Sequence, residues 1–351
     1  MNMAHNIYIH VPFCVAKCRY CAFFSHACPT PDWDVYTHGI VDELQHFAKI
    51  LGRVRVPTIF FGGGTPSLMP TNKFAKIIDV IHKNFDAMAD AEITIEANPG
   101  TIDKRKLGEF CAAGVNRLSV GAQSFDDEKL KFLGRIHTAR DARALIDAGL
   151  NHGIRVSADF IYGLPNESVD DVINTCRQIN DIGITHCSLY ELTIEPNTPF
   201  GKMNLNMPNN ETMAEMYTAI SNTLRLPRYE VSNYAVPGFE CRHNQNVWDG
   251  EPYIGIGNGA AGRVFIDDTW YEELGGGKMF QPMSNDARAI ERIITGMRTM
   301  RGVRVDPDTK KILNLEFAKS HNDMLMFSGD RIIATDAGIL VLDNLIEKLV
   351  K

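Results

Sequence analysis

The sequence has no long apolar run, no excess of basic residues and no leader-like amino terminus. No apolar stretch approaches the roughly 18 residues that a membrane-spanning helix needs. Residues 1–13, MNMAHNIYIHVPF, lack the basic and apolar regions of a secretory signal and are not Arg-rich like a transit peptide. The formal net charge of −7 argues against a broad phosphate-binding surface, so nucleic acid is not an expected partner.

Cysteine is also too scarce for a disulfide-stapled scaffold. Eight cysteines are spread unevenly over 351 residues, which is not the dense pattern of a small secreted domain. We therefore expect reduced thiols and a cytoplasmic location. With 44% hydrophobic and 23% charged residues, the chain is long and apolar enough to bury a large core.

Six short segments have the composition of β-strands, because they are rich in β-branched or aromatic residues and end in Gly, Pro or Asn. In chain order they are NIYIHV, PTIFFGGG, AEITIEANP, NRLSVGAQSF, RVSADFIYGLP and THCSLYELTIEP. The segments between them have a helical spacing of apolar residues, as in Tyr36 to Leu51 and Phe74 to Phe85. Ser168 and Asp171 form a capping-box pattern before the helix that follows strand five. This alternation predicts an α/β fold with a parallel sheet, open or closed as a barrel.

The alternation ends near residue 205. An Asn-rich stretch, NLNMPNNET, is followed by another helix pattern and by the Gly-rich stretch GEPYIGIGNGAAGR, and helical patterns dominate from about residue 284. The last 28 residues or so predict a small hairpin followed by a closing helix. We therefore expect three parts: a barrel at 1–205, an extension at 206–283 and a small, mainly helical carboxyl-terminal domain at 284–351.

Three cysteines follow the first predicted strand with the spacing C-x3-C-x2-C: Cys14, Cys18 and Cys21. This spacing brings three thiolates from one loop around a single centre. Structural zinc sites and iron–sulfur clusters usually have four protein ligands, so three ligands indicate an open coordination position. The alternative is a structural zinc ion whose fourth ligand is Cys28, His10 or His26, and the spacing alone leaves it open.

Polar and glycine residues end the other predicted strands. Gly62 to Pro66 follow strand two, Glu96 ends strand three, Gln123 ends strand four and Asp159 lies in strand five. In α/β barrels the carboxyl ends of the strands meet at one mouth, where the chemistry takes place. Glycine lets backbone approach a ligand, and the three polar side chains offer acceptors for ammonium, hydroxyl or amide groups. Together these residues predict a binding site.

With these motifs the sequence resembles the radical S-adenosylmethionine (SAM) superfamily. The resemblance implies a partial (β/α)6 barrel in which Cys14, Cys18 and Cys21 hold a 4Fe-4S cluster and SAM chelates the fourth iron. In that family the reduced cluster cleaves SAM to methionine and a 5'-deoxyadenosyl radical. The resemblance also implies SAM contacts at Tyr8, Tyr20, Gly63, Gly64, Thr65, Glu96, Gln123, Arg135 and Asp159.

Within the superfamily, the chain resembles the branch that contains oxygen-independent coproporphyrinogen III oxidase (HemN) and the haem chaperone HemW. The motifs that carry the resemblance are IHVPFC, FGGGTPSLM, GAQSF, LGRIHT, DFIYGLP, YEVSNYA and IGIGNGAAG. HemN has a further cysteine two positions after the third, where this chain has Phe23. HemN also has a long extension before its cysteine loop, whereas only thirteen residues precede Cys14 here. Both departures favour HemW.

Residues 243–248, HNQNVW, match the HNxxYW motif that HemW-like proteins use for haem, with Val247 in place of Tyr. The resemblance implies that His243 is an axial ligand of haem iron, a role suited to imidazole. Cys241 lies two residues earlier and offers a thiolate as an alternative ligand, although a small buried residue is the expected role.

The resemblance therefore implies a haem chaperone with a 4Fe-4S cluster, SAM and haem as cofactors. Two alternatives stay open, an oxidase that decarboxylates coproporphyrinogen III and another radical SAM enzyme such as a methyltransferase. The implied partners are haem, a haem-acceptor protein and an electron donor such as a flavodoxin or ferredoxin. Whether SAM is turned over is open, and no residue is assigned a catalytic role.

Overall fold

The first part of the chain alternates strands and helices, as the sequence predicts. The computed structural model describes residues 3–351. The strands of this part are β1 (Asn6–Val11), β2 (Phe13–Cys14), β3 (His26–Ala27), β4 (Arg55–Gly63), β5 (Asp86–Ala97), β6 (Arg117–Gln123), β7 (Arg155–Tyr162) and β8 (His186–Glu191). Its helices are α1 (Trp33–Leu51), α2 (Thr71–Asn84), α3 (Lys104–Ala112), α4 (Asp127–Leu133), α5 (Ala139–Asn151) and α6 (Val169–Ile182). All six predicted barrel strands are confirmed.

Six of these strands form one parallel sheet in the order β1-β4-β5-β6-β7-β8. Ile7 of β1 lies opposite Ile59 of β4, and Ile59 lies opposite Ile93 of β5. Side chains from all six strands line one interior cavity, which shows that the sheet is curled. The predicted α/β class and partial (β/α)6 barrel are therefore confirmed.

The helices cover the outside of this barrel. Helix α1 buries Ile40, Leu44 and Phe47 on one side, and each such side chain stabilises the fold by about 1.5–3 kcal/mol. The capping box predicted at Ser168 and Asp171 is present at the start of α6, with both reciprocal hydrogen bonds formed.

The strands of residues 206–283 extend the barrel sheet at both edges. The elements of this part are α7 (Asn210–Thr223), β9 (Asn233–Ala235), α8 (Arg242–Trp248), β10 (Tyr253–Ile256), β11 (Ala261–Ile266), β12 (Thr269–Leu274) and β13 (Met279–Pro282). Strand β9 pairs antiparallel with β8, and β10 pairs parallel with β1. Strands β11 to β13 continue beyond β10 as an antiparallel meander. The sheet therefore has eleven strands within residues 3–351.

The last part of the chain is a small helical unit with its own apolar core. Its elements are α9 (Asn285–Met297), β14 (Val303–Arg304), α10 (Pro307–Ile312), α11 (Leu315–Ser320), β15 (Leu325–Ser328), β16 (Arg331–Ala334), α12 (Asp336–Ile339) and α13 (Leu342–Leu349). Strands β15 and β16 form the predicted hairpin, and α13 is the predicted closing helix. Leu345 and Leu349 of α13 pack with Ile293 and Met297 of α9 in this core. Within residues 3–351, no helix combines the length and apolar character needed to cross a membrane.

Candidate functional site

The three cysteines of the C-x3-C-x2-C pattern lie in the segment between β1 and α1, residues 12–32, which we call the cysteine loop. Cys14 ends the short strand β2 within it. Cys14 is buried, whereas Cys18 and Cys21 are half-buried, and all three are free thiols. Burial raises the pKa of Cys14, and the neighbouring thiols of Cys21 and Cys18 add to this effect. Hydrogen bonds with the hydroxyls of Thr65 and Ser25 act in the opposite direction on the same pKa. The loop therefore brings three soft sulfur donors within electrostatic reach of one another.

The residues considered as a fourth zinc ligand are placed differently. Both ring nitrogens of His10 have hydrogen-bonding partners: Nδ1 bonds the Tyr8 hydroxyl at 2.9 Å, and Nε2 bonds the Phe24 carbonyl at 2.8 Å. His26 is exposed and Cys28 is half-buried. Within residues 3–351, no three His, Cys, Asp or Glu side chains are arranged to hold a single metal ion. His10 is therefore engaged elsewhere and is not available as a fourth ligand.

The glycines that end β4 bring bare backbone against the cysteine loop. Gly63 has φ +110°, in the region that favours glycine, and its N–H donates to Oε2 of Glu96 at 3.1 Å. A Cβ on Gly64 would lie 2.7 Å from the Phe13 carbonyl oxygen and 3.0 Å from Sγ of Cys14. Glycine is therefore required sterically at this contact.

Glu96 and Asp159 face the interior cavity, which has a volume of ≈ 410 Å³. Burial and the negative charge of Asp159 raise the pKa of Glu96 to about 8, although the Gly63 N–H opposes the shift. Burial also raises the pKa of Asp159, whose Oδ2 accepts a hydrogen bond from Ser119 Oγ at 2.8 Å. Two carboxyl groups thus share one cavity and compete for ionisation, an arrangement common at functional sites.

Arg135 and Gln123 do not line this cavity, and Arg135 instead lines a separate small pocket with Cys18, Thr65 and Asn98. Arg135 donates to Sγ of Cys18 at 3.4 Å, to the Gly121 carbonyl at 2.9 Å and to Oδ1 of Asn98. Gln123 has φ +63° at a register shift of β6, and its side-chain amide lies over Gly121 beside Asn98 and Arg135. The guanidinium therefore places a positive charge next to the cysteine loop.

Asn98 belongs to this group, although sequence reasoning did not single it out. Its Nδ2 donates to Oγ1 of Thr65 at 2.8 Å, and its Oδ1 accepts from Arg135. The signal that could have found it is its position two residues after Glu96, because alternate residues of a strand point to the same face. Asn98 links Thr65 to the cation beside the cysteine loop.

Tyr20 lies apart from the cavity. It is half-buried and packs against a small apolar cluster that includes Leu133, Leu164 and Phe200. Burial raises the pKa of its hydroxyl, while Arg135 acts in the opposite direction. The SAM contact implied for Tyr20 stays a prediction.

His243 lies at the opposite end of the barrel from the cysteine loop. Helix α8, which carries HNQNVW, packs at the amino-terminal ends of the barrel strands, where Asn246 bonds Asn6 of β1 at 2.9 Å and Arg242 bonds the carbonyl of Asp90 in β5 at 2.8 Å. His243 and Val247 nevertheless line the same cavity as Glu96 and Asp159. The cavity therefore brings Tyr8, Glu96 and Asp159 together with His243, whereas the cysteines and the other residues implied to contact SAM do not line it.

The hydrogen bonds of His243 fix its protonation. The Thr58 hydroxyl donates its proton to Oδ1 of Asn6 at 2.8 Å, so it accepts from Nδ1–H of His243 at 2.8 Å. Burial lowers the pKa of His243 to about 3, so the ring is neutral. Nε2 then carries the lone pair and has no hydrogen-bonding partner among the described residues. A neutral imidazole held through Nδ1–H is the form that binds a metal ion.

Comparison with known proteins gives consistent relatives. A family model described as the radical SAM superfamily matches residues 8–179. The heme chaperone HemW of Escherichia coli (strain K12) is 41% identical over 269 residues, covering 75% of this chain and 71% of that protein. The heme chaperone HemW of Mycobacterium tuberculosis (strain ATCC 25618 / H37Rv) is 30% identical over 370 residues, covering 98% of this chain and 94% of that protein.

Among solved structures, coproporphyrinogen III oxidase (HemN) from Escherichia coli has the same fold. It superposes with a TM-score of 0.82 at 20% identity, covering 99% of this chain and 90% of that one. At this identity the likeness concerns the fold alone.

Proposed function

Because the chain belongs to the radical SAM superfamily, and within it to the branch that contains HemN and HemW, we propose that it is a HemW-like haem chaperone. In this proposal it binds haem and delivers it to an acceptor protein. The observation that carries the proposal is the 41% identity with the HemW of Escherichia coli over three quarters of the chain. Membership of the superfamily implies a 4Fe-4S cluster and SAM.

The cysteine loop fits the cluster. Cys14, Cys18 and Cys21 supply three thiols from one loop, which is the soft donor set that iron–sulfur clusters take. Within residues 3–351 no three His, Cys, Asp or Glu side chains, these cysteines included, converge on one point in this structure. Arg135 lies beside Cys18 as a counter-charge. When bound and reduced, the cluster supplies the electron for cleavage of SAM, and an electron donor such as a flavodoxin or ferredoxin would reduce the cluster again.

The strand ends would hold SAM. The half-buried backbone of Gly63 and Gly64, with Thr65, would receive the methionine part next to the cysteine loop. Glu96 and Asp159 offer carboxylate oxygens to donor groups of the ligand inside the cavity. The other proposed contacts are Tyr8, Tyr20, Gln123 and Arg135. SAM that donates to these carboxylates would favour their ionised forms and so oppose the raised pKa of Glu96.

His243 is the proposed haem ligand. His243 and Cys241 both line the cavity, but Nε2 of His243 keeps a free lone pair, whereas the thiol of Cys241 donates to Oε1 of Glu92 at 3.7 Å. Because His243 is only 5% exposed, in this proposal α8 moves away from the barrel end to admit haem. In this proposal residues 1–205 form the SAM-binding barrel, 206–283 carry the haem segment and 284–351 form the carboxyl-terminal domain.

The absence of a cysteine at position 23 argues against the oxidase alternative. HemN has a cysteine at the position of Phe23, and the Phe23 side chain is 70% exposed and offers no thiol. The test uses anaerobically reconstituted protein in two parallel assays, haem titration followed by Soret absorption and incubation with coproporphyrinogen III, SAM and a reductant, with HemN as the positive control. We expect haem binding and no protoporphyrinogen IX. SAM-dependent formation of protoporphyrinogen IX, or failure to bind haem, contradicts the proposal.

A further inference from the structure

A chain of hydrogen bonds runs along the wall of the cavity from Asp159 to the start of α8, and all its members except Tyr229 line the cavity. Asp159 Oδ1 accepts from Ser157 Oγ at 3.4 Å, and Ser157 Oγ bonds His186 Nδ1 at 2.7 Å. His186 Nε2 bonds the Tyr229 hydroxyl at 2.8 Å, and that hydroxyl accepts from the backbone N–H of Cys241 at 3.3 Å. Cys241 is the N-cap of α8. We refer to these five residues as the Asp159–Cys241 chain.

The donors of this chain can be assigned from its backbone end. The Cys241 N–H can only donate, so the oxygen of Tyr229 accepts there and its O–H is free to donate to Nε2 of His186. His186 is neutral, because burial and the charge of Arg117 lower its pKa well below the ordinary value. The arrangement in which every donor of these residues has an acceptor therefore has the single ring proton on Nδ1, from which it is donated to Ser157.

Because His186 donates to Ser157, Asp159 must act as a hydrogen-bond acceptor at the other end of the Asp159–Cys241 chain. The hydroxyl of Ser157 has one proton, and because it accepts from His186 it donates that proton to Oδ1 of Asp159. A protonated Asp159 that donates to Ser157 would reverse the next two bonds, so that Nε2–H of His186 donates to Tyr229. The Tyr229 O–H would then have no acceptor within the Asp159–Cys241 chain. The hydrogen bonds of the Asp159–Cys241 chain thus have two discrete arrangements of unequal energy.

A ligand at Asp159 selects between these arrangements. Asp159 lines the cavity, and a ligand hydroxyl or ammonium group that donates to it holds it as a carboxylate. We propose that the Asp159–Cys241 chain couples ligand binding at Asp159 to the order of α8, the helix that carries HNQNVW. The inference rests on the proposed SAM pocket. It makes Tyr229, which does not line the cavity but packs its ring near that of Trp248, a positioning residue for the first turn of the haem segment.

The coupling is reciprocal, since each site changes the affinity of the other by the same factor. A ligand at Asp159 strengthens the bond from Cys241 N–H to Tyr229, because a hydroxyl that donates to His186 is a better acceptor. In this proposal α8, which carries the buried His243, is then harder to move. SAM would therefore retain the closed barrel end, and loss of SAM would favour its opening. The chain gives the delivery cycle a defined order of events.

The test is amide hydrogen exchange of residues 238–250, read by mass spectrometry on the cluster-reconstituted full chain. The probe is S-adenosylhomocysteine, which cannot undergo reductive cleavage as SAM does, and no haem is present. We expect saturating probe to slow exchange in this segment about five-fold, the effect of one net hydrogen bond. Tyr229→Phe removes the hydroxyl from the chain and should bind the probe about five-fold more weakly without slowing exchange. The matched control Tyr217→Phe removes a hydroxyl that bonds the Val231 carbonyl outside the chain, and it should behave as the unmodified protein.

Each outcome decides the inference. Saturation of the unmodified protein without slower exchange in 238–250 overturns the coupling, and this measurement needs no variant to fold. Slowing that persists in full in Tyr229→Phe also overturns it. A protein that does not bind the probe at all refutes the proposed pocket together with the coupling. Slower exchange in a protein that does not bind haem supports the coupling and refutes only the chaperone function.

Discussion

Replacing Glu96 with Gln should stabilise the SAM-free protein more at pH 9 than at pH 6. Glu96 shares the barrel cavity with Asp159, and burial together with that neighbour raises its pKa from 4.5 to about 8. The native state therefore holds a proton that the unfolded chain has already released. Gln has nearly the same shape and keeps an oxygen that can accept the N–H of Gly63.

The sign and size follow from proton linkage. A carboxyl group with a raised native pKa contributes most stability below the unfolded pKa, and it loses that contribution as the pH rises to the native pKa. Between pH 6 and pH 9 the shift of Glu96 spans about two pH units, which at 1.36 kcal/mol per unit gives an upper limit of about 2.7 kcal/mol. Gln has no proton to release, so the advantage of Glu96→Gln over the unmodified protein should grow by up to this amount.

The assay compares urea unfolding of both proteins at pH 6 and pH 9, with the cluster reconstituted and SAM absent. Glu347→Gln is the matched control, because Glu347 is exposed in α13 and the same substitution there should give no pH-dependent difference. If the difference in unfolding free energy between Glu96→Gln and the unmodified protein is equal at both pH values, Glu96 is ionised across this range and the reasoning is wrong.

Three further outcomes follow from the site. Cys21→Ala should lose the 4Fe-4S cluster by iron and sulfide analysis and by electron paramagnetic resonance, whereas Cys28→Ala should keep it. The reverse result would mean that Cys28, and not Cys21, is a cluster ligand. Asp159→Asn should weaken SAM binding in calorimetry by about ten-fold or more, as loss of a hydrogen bond to a charged group predicts. The cluster spectrum should stay unchanged. An unchanged SAM affinity would mean that the pocket is misassigned. His243→Ala should lose most Soret absorption while the exposed control His38→Ala keeps it, and equal haem binding by the two variants would exclude His243 as the ligand.

Local sequence signals predict the barrel because each strand and helix carries its own pattern. The capping box at Ser168 and Asp171 fixed the start of α6, and the apolar spacing from Tyr36 to Leu51 lies within α1. The cysteine spacing likewise predicts a shared loop, since its ligands are close in sequence. These features depend on neighbours a few residues away.

The position of HNQNVW could not be predicted in the same way. The segment is held at the amino end of the barrel by the bond between Thr58 and His243, residues 185 positions apart, and by the bond between Asn6 and Asn246. Nothing in the local pattern of α8 specifies these partners. The same holds for Asp159 and Tyr229, which are joined only through Ser157 and His186 of two different strands.

The pairing of β1 with β10 has a consequence for how the protein is made. Asn6 of β1 lies opposite Tyr253 of β10, so one edge of the first strand stays unpaired until about 250 further residues have been added. At ~5–20 residues per second, ribosomal synthesis of that stretch takes about 12–50 s. Throughout this interval an apolar strand that includes Ile7 and Ile9 presents open backbone groups to other nascent chains, which is the situation that favours intermolecular strand pairing. Faithful production of this fold therefore depends on shielding one early strand while the rest of the chain is translated.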